Sequence, residues 1–246
     1  MQNDKWIFVT SGERGIGAGI VRRLAAEGYK VIFTYHTQQD QALQFTDEIK
    51  LKGGDCHCYY CDVRDQQGVK QLCTDLINDY GAPYGVINNA GIKNDKLLVN
   101  TEMRAWQTVI DTNLNGTFHV IHSMISAMIA AGNGCVITLS SVSALRGNIG
   151  QTSYAASKAA QLGLTQSLAR EVGRFNIRVN NIAPGLIETE MFSSLSPHAC
   201  KSLIAQTALR KVGGTDDIAR MVSFLLGEGG NYITGQTMII DGGLSI

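Results

Sequence analysis

Tyr154 and Lys158 stand four residues apart in the stretch Tyr-Ala-Ala-Ser-Lys, so on a helix both side chains leave the same face one turn apart. An ammonium held beside a phenol favours the phenolate and lowers a tyrosine pKa of about 10 towards neutrality. That makes Tyr154 a usable proton donor and acceptor. Ser141 follows the β-rich run Cys135–Ser140, where its hydroxyl can bind an oxygen whose charge changes during a reaction. A Tyr-x-x-x-Lys spacing is common on helix surfaces, so the chemistry requires a fold that brings the serine to the pair.

A second group of residues suits a phosphate-bearing ligand. Thr10-Ser11-Gly12-Glu13-Arg14-Gly15-Ile16-Gly17 lies between a β-rich run and an amphipathic one. Glycines at a strand-to-helix turn let the backbone approach a pyrophosphate, which the helix N-terminus then holds with its N–H groups and dipole. The end of the second strand selects the dinucleotide, because a carboxylate there grips the ribose hydroxyls of NAD and repels a 2′-phosphate. Here that end reads Thr34-Tyr35-His36-Thr37, with no acid, and Arg14 in the glycine turn is placed to neutralise a phosphate. NADP is therefore expected over NAD.

The elements that must position these groups alternate along the whole chain. Runs with strand character are Trp6–Thr10, Lys30–Tyr35, His57–Cys61, Gly85–Asn88, Cys135–Ser140, Arg178–Ile182 and Thr237–Ile240; helical patterns cover Ile16–Glu27, Gln39–Leu51, Gln66–Tyr80, Thr101–Ala131, Ser153–Phe175 and Thr215–Leu226. Such alternation predicts a seven-stranded parallel sheet with helices on both faces, a doubly wound α/β (Rossmann) fold. With 246 residues, 44% apolar and 17% charged, the composition suits one domain over 1–246. Its alternation loosens only at 188–206, where Ser193, Ser194, Ser196 and Pro197 follow a strand end, and a substrate lid is expected there.

Composition also excludes partners. Lys plus Arg and Asp plus Glu each number 21, for a net charge of zero, and the basic residues are scattered, so neither nucleic acid nor an anionic membrane is expected. The apolar stretch Phe118–Ala131 is interrupted by His119, His122, Ser123 and Ser126 and is short of the roughly 20 residues that span a bilayer. Met1 to Lys5 leads straight into Trp6-Ile7-Phe8-Val9 without an export signal, so a cytoplasmic chain with reduced thiols is expected. Cys56, Cys58 and Cys61 lie close together, but on a strand the first two face one side and the third the other, so no metal site is expected.

Taken in order along the chain, these segments resemble the short-chain dehydrogenase/reductase family over essentially the whole sequence. The matching phrases are Thr10 to Gly17, Cys61-Asp62-Val63, Asn88-Asn89-Ala90-Gly91, Thr112 to Gly116, Ser141 with Tyr154 and Lys158, Pro184-Gly185 with Ile187 and Thr189, and Asp241-Gly242-Gly243. One departure is Ser11, where the family pattern has its first glycine. The resemblance implies that Asp62 and Val63 line the adenine pocket, that Asn89, Ala90 and Gly91 lie beside the adenosine ribose, and that Thr189 holds the nicotinamide carboxamide. It further implies that Asn113 kinks its helix and positions a water next to Lys158, with Ser141, Tyr154 and Lys158 as the catalytic residues.

Within the family, Gly91-Ile92, Asp95-x-Leu97-Leu98, Gly147 to Tyr154, Ala183 to Met191 and Tyr232 to Gly235 are similar to the bacterial 3-oxoacyl-[acyl-carrier-protein] reductases. That likeness implies a homotetramer that reduces a β-ketoacyl thioester with NADPH and offers basic residues to an acidic carrier protein. Here the loop after the long central helix is neutral, Ala130-Ala131-Gly132-Asn133-Gly134, which leaves Arg174 as the main expected carrier contact. Reduction of another ketone on the same scaffold, or a regulator that binds a dinucleotide without catalysis, are the competing readings.

Overall fold

The computed structural model describes residues 5–193 and 197–246. Seven parallel strands form one sheet in the order β3-β2-β1-β4-β5-β6-β7. They are β1 Trp6–Val9, β2 Lys30–Tyr35, β3 Cys56–Tyr60, β4 Gly85–Asn88, β5 Gly134–Leu139, β6 Ile177–Pro184 and β7 Thr237–Ile240. The helices are α1 Gly15–Ala26, α2 Gln39–Leu51, α3 Gln66–Tyr80, α4 Met103–Ile110, α5 Gly116–Ala131, α6 Ser143–Arg146, α7 Thr152–Val172, α8 Glu190–Ser193, α9 Pro197–Gln206 and α10 Thr215–Leu226.

Near-continuous aliphatic strands such as Ile7-Phe8-Val9 are buried on both faces because two helical layers cover them. Ile7, Val9, Val31, Phe33 and Ile137 pack with α1, α2 and α10, while Phe8, Ile32, Val86, Val136 and Val179 pack with α3, α5 and α7. Cys56 and Cys58 belong to the first layer and Cys61 to the second, so their thiols diverge across the sheet. The strand order reverses between β1 and β4, which opens a crevice at their C-terminal ends, where such folds bind ligands.

One expectation needs correction. The helix predicted over Thr101–Ala131 is two helices joined by a π-helical turn at Asp111–Asn115. Apolar residues recur at helical spacing straight through that turn, so periodicity does not reveal it. The segment expected as a lid at 188–206 forms α8 and α9 where it is described, and Ser194 and Ser196 lie outside the described residues. Among the described residues no helix is long and apolar enough to cross a membrane.

Candidate active site

The candidate catalytic residues are assembled where β5 stops. The Lys158 Nζ donates to the carbonyl of Leu139, the last residue of β5, at 2.6 Å, and the Ser140 hydroxyl donates to the Lys158 carbonyl at 2.9 Å. These two bonds lock the start of α7 onto the strand end. Ser141 comes next in the chain; its Oγ accepts the Ser143 N–H at 3.1 Å, and its hydroxyl is hydrogen-bonded to the Tyr154 phenol. Lys158 is fully enclosed, with its Nζ 5.8 Å from the centre of the Tyr154 ring. The serine, tyrosine and lysine therefore converge as their spacing predicts.

Their ionisation differs from the expectation. Burial pushes the Tyr154 phenol above its ordinary value, and the hydrogen bond with Ser141 only partly opposes this. Burial also pushes the Lys158 ammonium down, to about 8. The chain by itself thus does not bring the phenol towards neutrality. The desolvated ammonium is directed at the Leu139 carbonyl, and the low-polarity surroundings penalise both charged forms.

Asn113 sits in the π-helical turn, wholly buried. Its amide clasps the backbone of Ile92 from both sides, Nδ2 donating to the carbonyl at 2.9 Å and Oδ1 accepting the N–H at 2.8 Å, and Nδ2 also donates to the Ser157 hydroxyl at 2.9 Å. Its own carbonyl, released from the α-helical ladder, accepts from Gln161 Nε2 at 2.7 Å and from the Thr117 hydroxyl at 2.8 Å. A Cβ at Gly91 would lie 3.3 Å from Lys158 Nζ and 3.4 Å from Asn113 Oδ1, so the glycine lets the backbone pass close to both groups. Ser157 and Gln161 were not singled out from sequence, although polar residues on the buried side of α7 next to Lys158 are a readable signal.

The glycine turn forms the opposite wall. Ser11 adopts a left-handed backbone with φ of 52°, the conformation that explains the family's glycine at this place. Its carbonyl accepts from Asn89 Nδ2 at 2.8 Å and its N–H donates to the Thr34 hydroxyl at 3.3 Å, which hold the unusual conformation. Gly12 is required by packing, since a Cβ there would meet Phe33 Cβ at 2.5 Å. Thr10 Oγ1 accepts the N–H groups of Asn89 and Ala90 at 3.0 and 2.9 Å, fastening the turn to the end of β4. Asn89 thus engages its amide nitrogen inside the turn.

Beyond the turn, the Arg14 side chain is half exposed, with its Nε 3.8 Å from Glu13 Oε1. His36 Nε2 is 3.4 Å from Asp62 Oδ2, and Arg64 grips the same carboxylate at 2.6 to 3.1 Å. The Arg64 hydrogen bond is the main reason the Asp62 carboxyl titrates below its ordinary value. Thr37 is exposed. Val63 is buried against Gly116. On the far side Pro184 closes β6, Gly185 lies tight on Asp241, Ile187 is buried, and Thr189 Cγ2 is 3.5 Å from the place of a Gly15 Cβ. The glycine turn and the Thr189 loop thus face each other across the crevice.

Arg174 is not brought to this site within the chain. It precedes β6 and the neutral 130–134 loop leads into β5, whereas Ser141 and Pro184 lie at the other ends of those strands. The eight residues of β6 separate the two ends by roughly 25 Å.

A family model described as Enoyl-(Acyl carrier protein) reductase matches residues 10–245. The chain is 39% identical over 244 residues to the 3-oxoacyl-[acyl-carrier-protein] reductase FabG of Staphylococcus aureus strain Mu50, covering 99% of each. It is 38% identical over 242 residues to the protein of that name in Chlamydia pneumoniae, covering 98% of this chain and 97% of the relative. A solved structure described as a blue fluorescent protein from a metagenomic library in complex with NADPH superposes with a TM-score of 0.93 at 36% identity, covering 99% of both chains.

Proposed function

The chain belongs to the short-chain dehydrogenase/reductase family, and from that premise we propose that it uses NADPH to reduce a β-ketoacyl thioester to the β-hydroxyacyl thioester. The observation that carries this reading is the convergence of Ser141, Tyr154, Lys158 and Asn113 beside the glycine turn, at the C-terminal ends of the central strands. Support comes from relatives named 3-oxoacyl-[acyl-carrier-protein] reductase and from a structural neighbour described as a complex with NADPH. A cytoplasmic homotetramer is part of the same reading, on the strength of the family likeness.

The crevice fits a dinucleotide. Helix α1 starts without a side-chain cap and without an acid in its first turn, so its leading N–H groups suit a pyrophosphate. Nothing lies closer than 3.5 Å to the place of a Gly15 Cβ. Gly12, Gly15, Ile16 and Gly17 would hold the pyrophosphate, and Arg14, His36 and Thr37 the 2′-phosphate. Asp62 and Val63 would border the adenine, Asn89 to Gly91 the adenosine ribose, and Pro184, Gly185, Ile187 and Thr189 the nicotinamide.

When bound, NADPH supplies the hydride that the carbonyl carbon accepts. Tyr154 gives its phenolic proton to the carbonyl oxygen, so that the ketone gains one hydride and one proton and leaves as an alcohol. Ser141, already paired with the phenol, orients that oxygen. Lys158 offsets the phenolate that remains, and its lowered pKa of about 8 lets it act as a proton store. Asn113 holds the Ile92 backbone and thereby the Gly91 wall beside the lysine. The segment around α8 and α9 would close over the thioester.

The reading is tested by following NADPH oxidation with acetoacetyl-CoA, with carrier-bound β-ketoacyl chains, and with a panel of sugar, steroid and polyketide ketones. Thioesters should be reduced with the highest kcat/KM. Preference for a sugar or steroid ketone would move the chain to another reductase class. NADPH binding without turnover of any ketone would point to a regulator.

A further inference from the structure

The glycine turn carries a side chain that the cofactor reading does not use. Glu13 is 5% exposed, and its Oε2 has no hydrogen-bond partner among the described residues. Its Oε1 is 3.8 Å from Arg14 Nε, too far for a hydrogen bond. The charged groups acting on it come from three elements: Arg14 from its own turn and His36 from the end of β2, which favour the carboxylate, and Glu190 from α8, which opposes it. A buried carboxyl whose hydrogen bonding is limited to its own backbone N–H, with Oε2 left unpaired, is costly, and this one stands among the residues that would receive a 2′-phosphate.

We propose that Glu13 is a specificity-determining residue that works against the 2′-phosphate, engaging Arg14 electrostatically so that the chain discriminates between NADPH and NADH less than that guanidinium alone would allow. Two anions sharing one cationic corner repel each other, and the corner is partly shielded from solvent, so screening is incomplete. NADH brings no charge to that corner and should be indifferent to Glu13. Burial holds the Glu13 carboxyl above its ordinary titration range, which is the direction an approaching phosphate would drive further. The inference rests on the NADPH reading above and names a residue that weakens it.

The test compares NADPH and NADH binding to the unmodified protein, Glu13→Gln, Glu13→Ser and Arg14→Ala, by nicotinamide fluorescence titration and calorimetry, so that no result depends on turnover. Two neutral replacements of different size guard against a packing artefact, and thermal melts check that each variant is folded. Both Glu13 variants should bind NADPH about tenfold more tightly, with NADH changed less than twofold. If NADPH is preferred by the unmodified protein and neither Glu13 variant tightens it, or if both cofactors tighten together, the inference is overturned while the NADPH reading stands. If the unmodified protein binds both equally and Arg14→Ala alters neither, the NADPH reading itself fails, and the inference with it.

Discussion

Replacing Lys158 by methionine should change how the stability of this protein depends on pH, in a way that follows from one buried charge. The ammonium is enclosed between α7 and the end of β5, and burial moves it from 10.5 to about 8. Below pH 8 both the folded and the unfolded chain carry this proton, and the folded state bears the full desolvation cost. Between pH 8 and 10.5 the unfolded chain still binds the proton while the folded one releases it, so rising pH relieves the cost. Each pH unit in that window is worth about 1.4 kcal/mol, and the window as a whole about 3 kcal/mol.

Methionine keeps the length and removes the charge. It also leaves the Leu139 carbonyl without its 2.6 Å donor, a loss of about 1–3 kcal/mol that does not vary with pH. The difference in unfolding free energy, unmodified protein minus Lys158→Met, should therefore be flat up to about pH 8 and then move by about 3 kcal/mol in favour of the unmodified protein. Urea melts of both proteins at pH 6.5, 7.5, 9 and 10 measure this directly, and taking the difference cancels the titration of all other groups. For a chain of this size the same change corresponds to roughly 6–12 °C in relative Tm. Parallel curves across the range would show that the ammonium is hydrated in the folded state and that Lys158 is not the buried proton store described above.

Two further substitutions examine the glycine turn. Ser11→Gly should stabilise the protein by about 1 kcal/mol, because the residue is held at a φ of 52° that costs a side-chain-bearing residue about that much; a lower midpoint in a urea melt would contradict it. Arg14→Ala should weaken NADPH binding about tenfold and NADH binding less than twofold, since the half-exposed guanidinium acts through the extra phosphate alone; equal losses for both cofactors would place Arg14 elsewhere on the ligand.

The alternation of strand and helix was readable because the central strands are apolar on both faces and the helices between them carry an apolar stripe, which are the patterns a two-layered cover demands. The reading failed at Asp111–Asn115, where the chain continues helically but with a wider turn. The turn goes with the Asn113 amide bonded to Ile92, a contact between residues 21 apart, and local periodicity carries no trace of it. That Tyr154 and Lys158 share a helix face was legible from their spacing, and Ser141 beside them from its place after β5. Their ionisation was not, because it depends on how completely α7 and β5 exclude water. The distance of Arg174 from the site was also hidden, since a residue's place at one end of a strand or the other emerges only with the topology.

The most direct measurement of the central claim is turnover and NADPH binding by Tyr154→Phe. Phenylalanine removes only the hydroxyl that pairs with Ser141 and leaves the glycine turn, Arg14 and Lys158 in place. NADPH should bind within about threefold of the unmodified affinity, while kcat for acetoacetyl-CoA reduction falls by at least about 10³, the loss expected when a positioned general acid is removed. Retention of most of the turnover by Tyr154→Phe would contradict the assignment of the proton to that phenol.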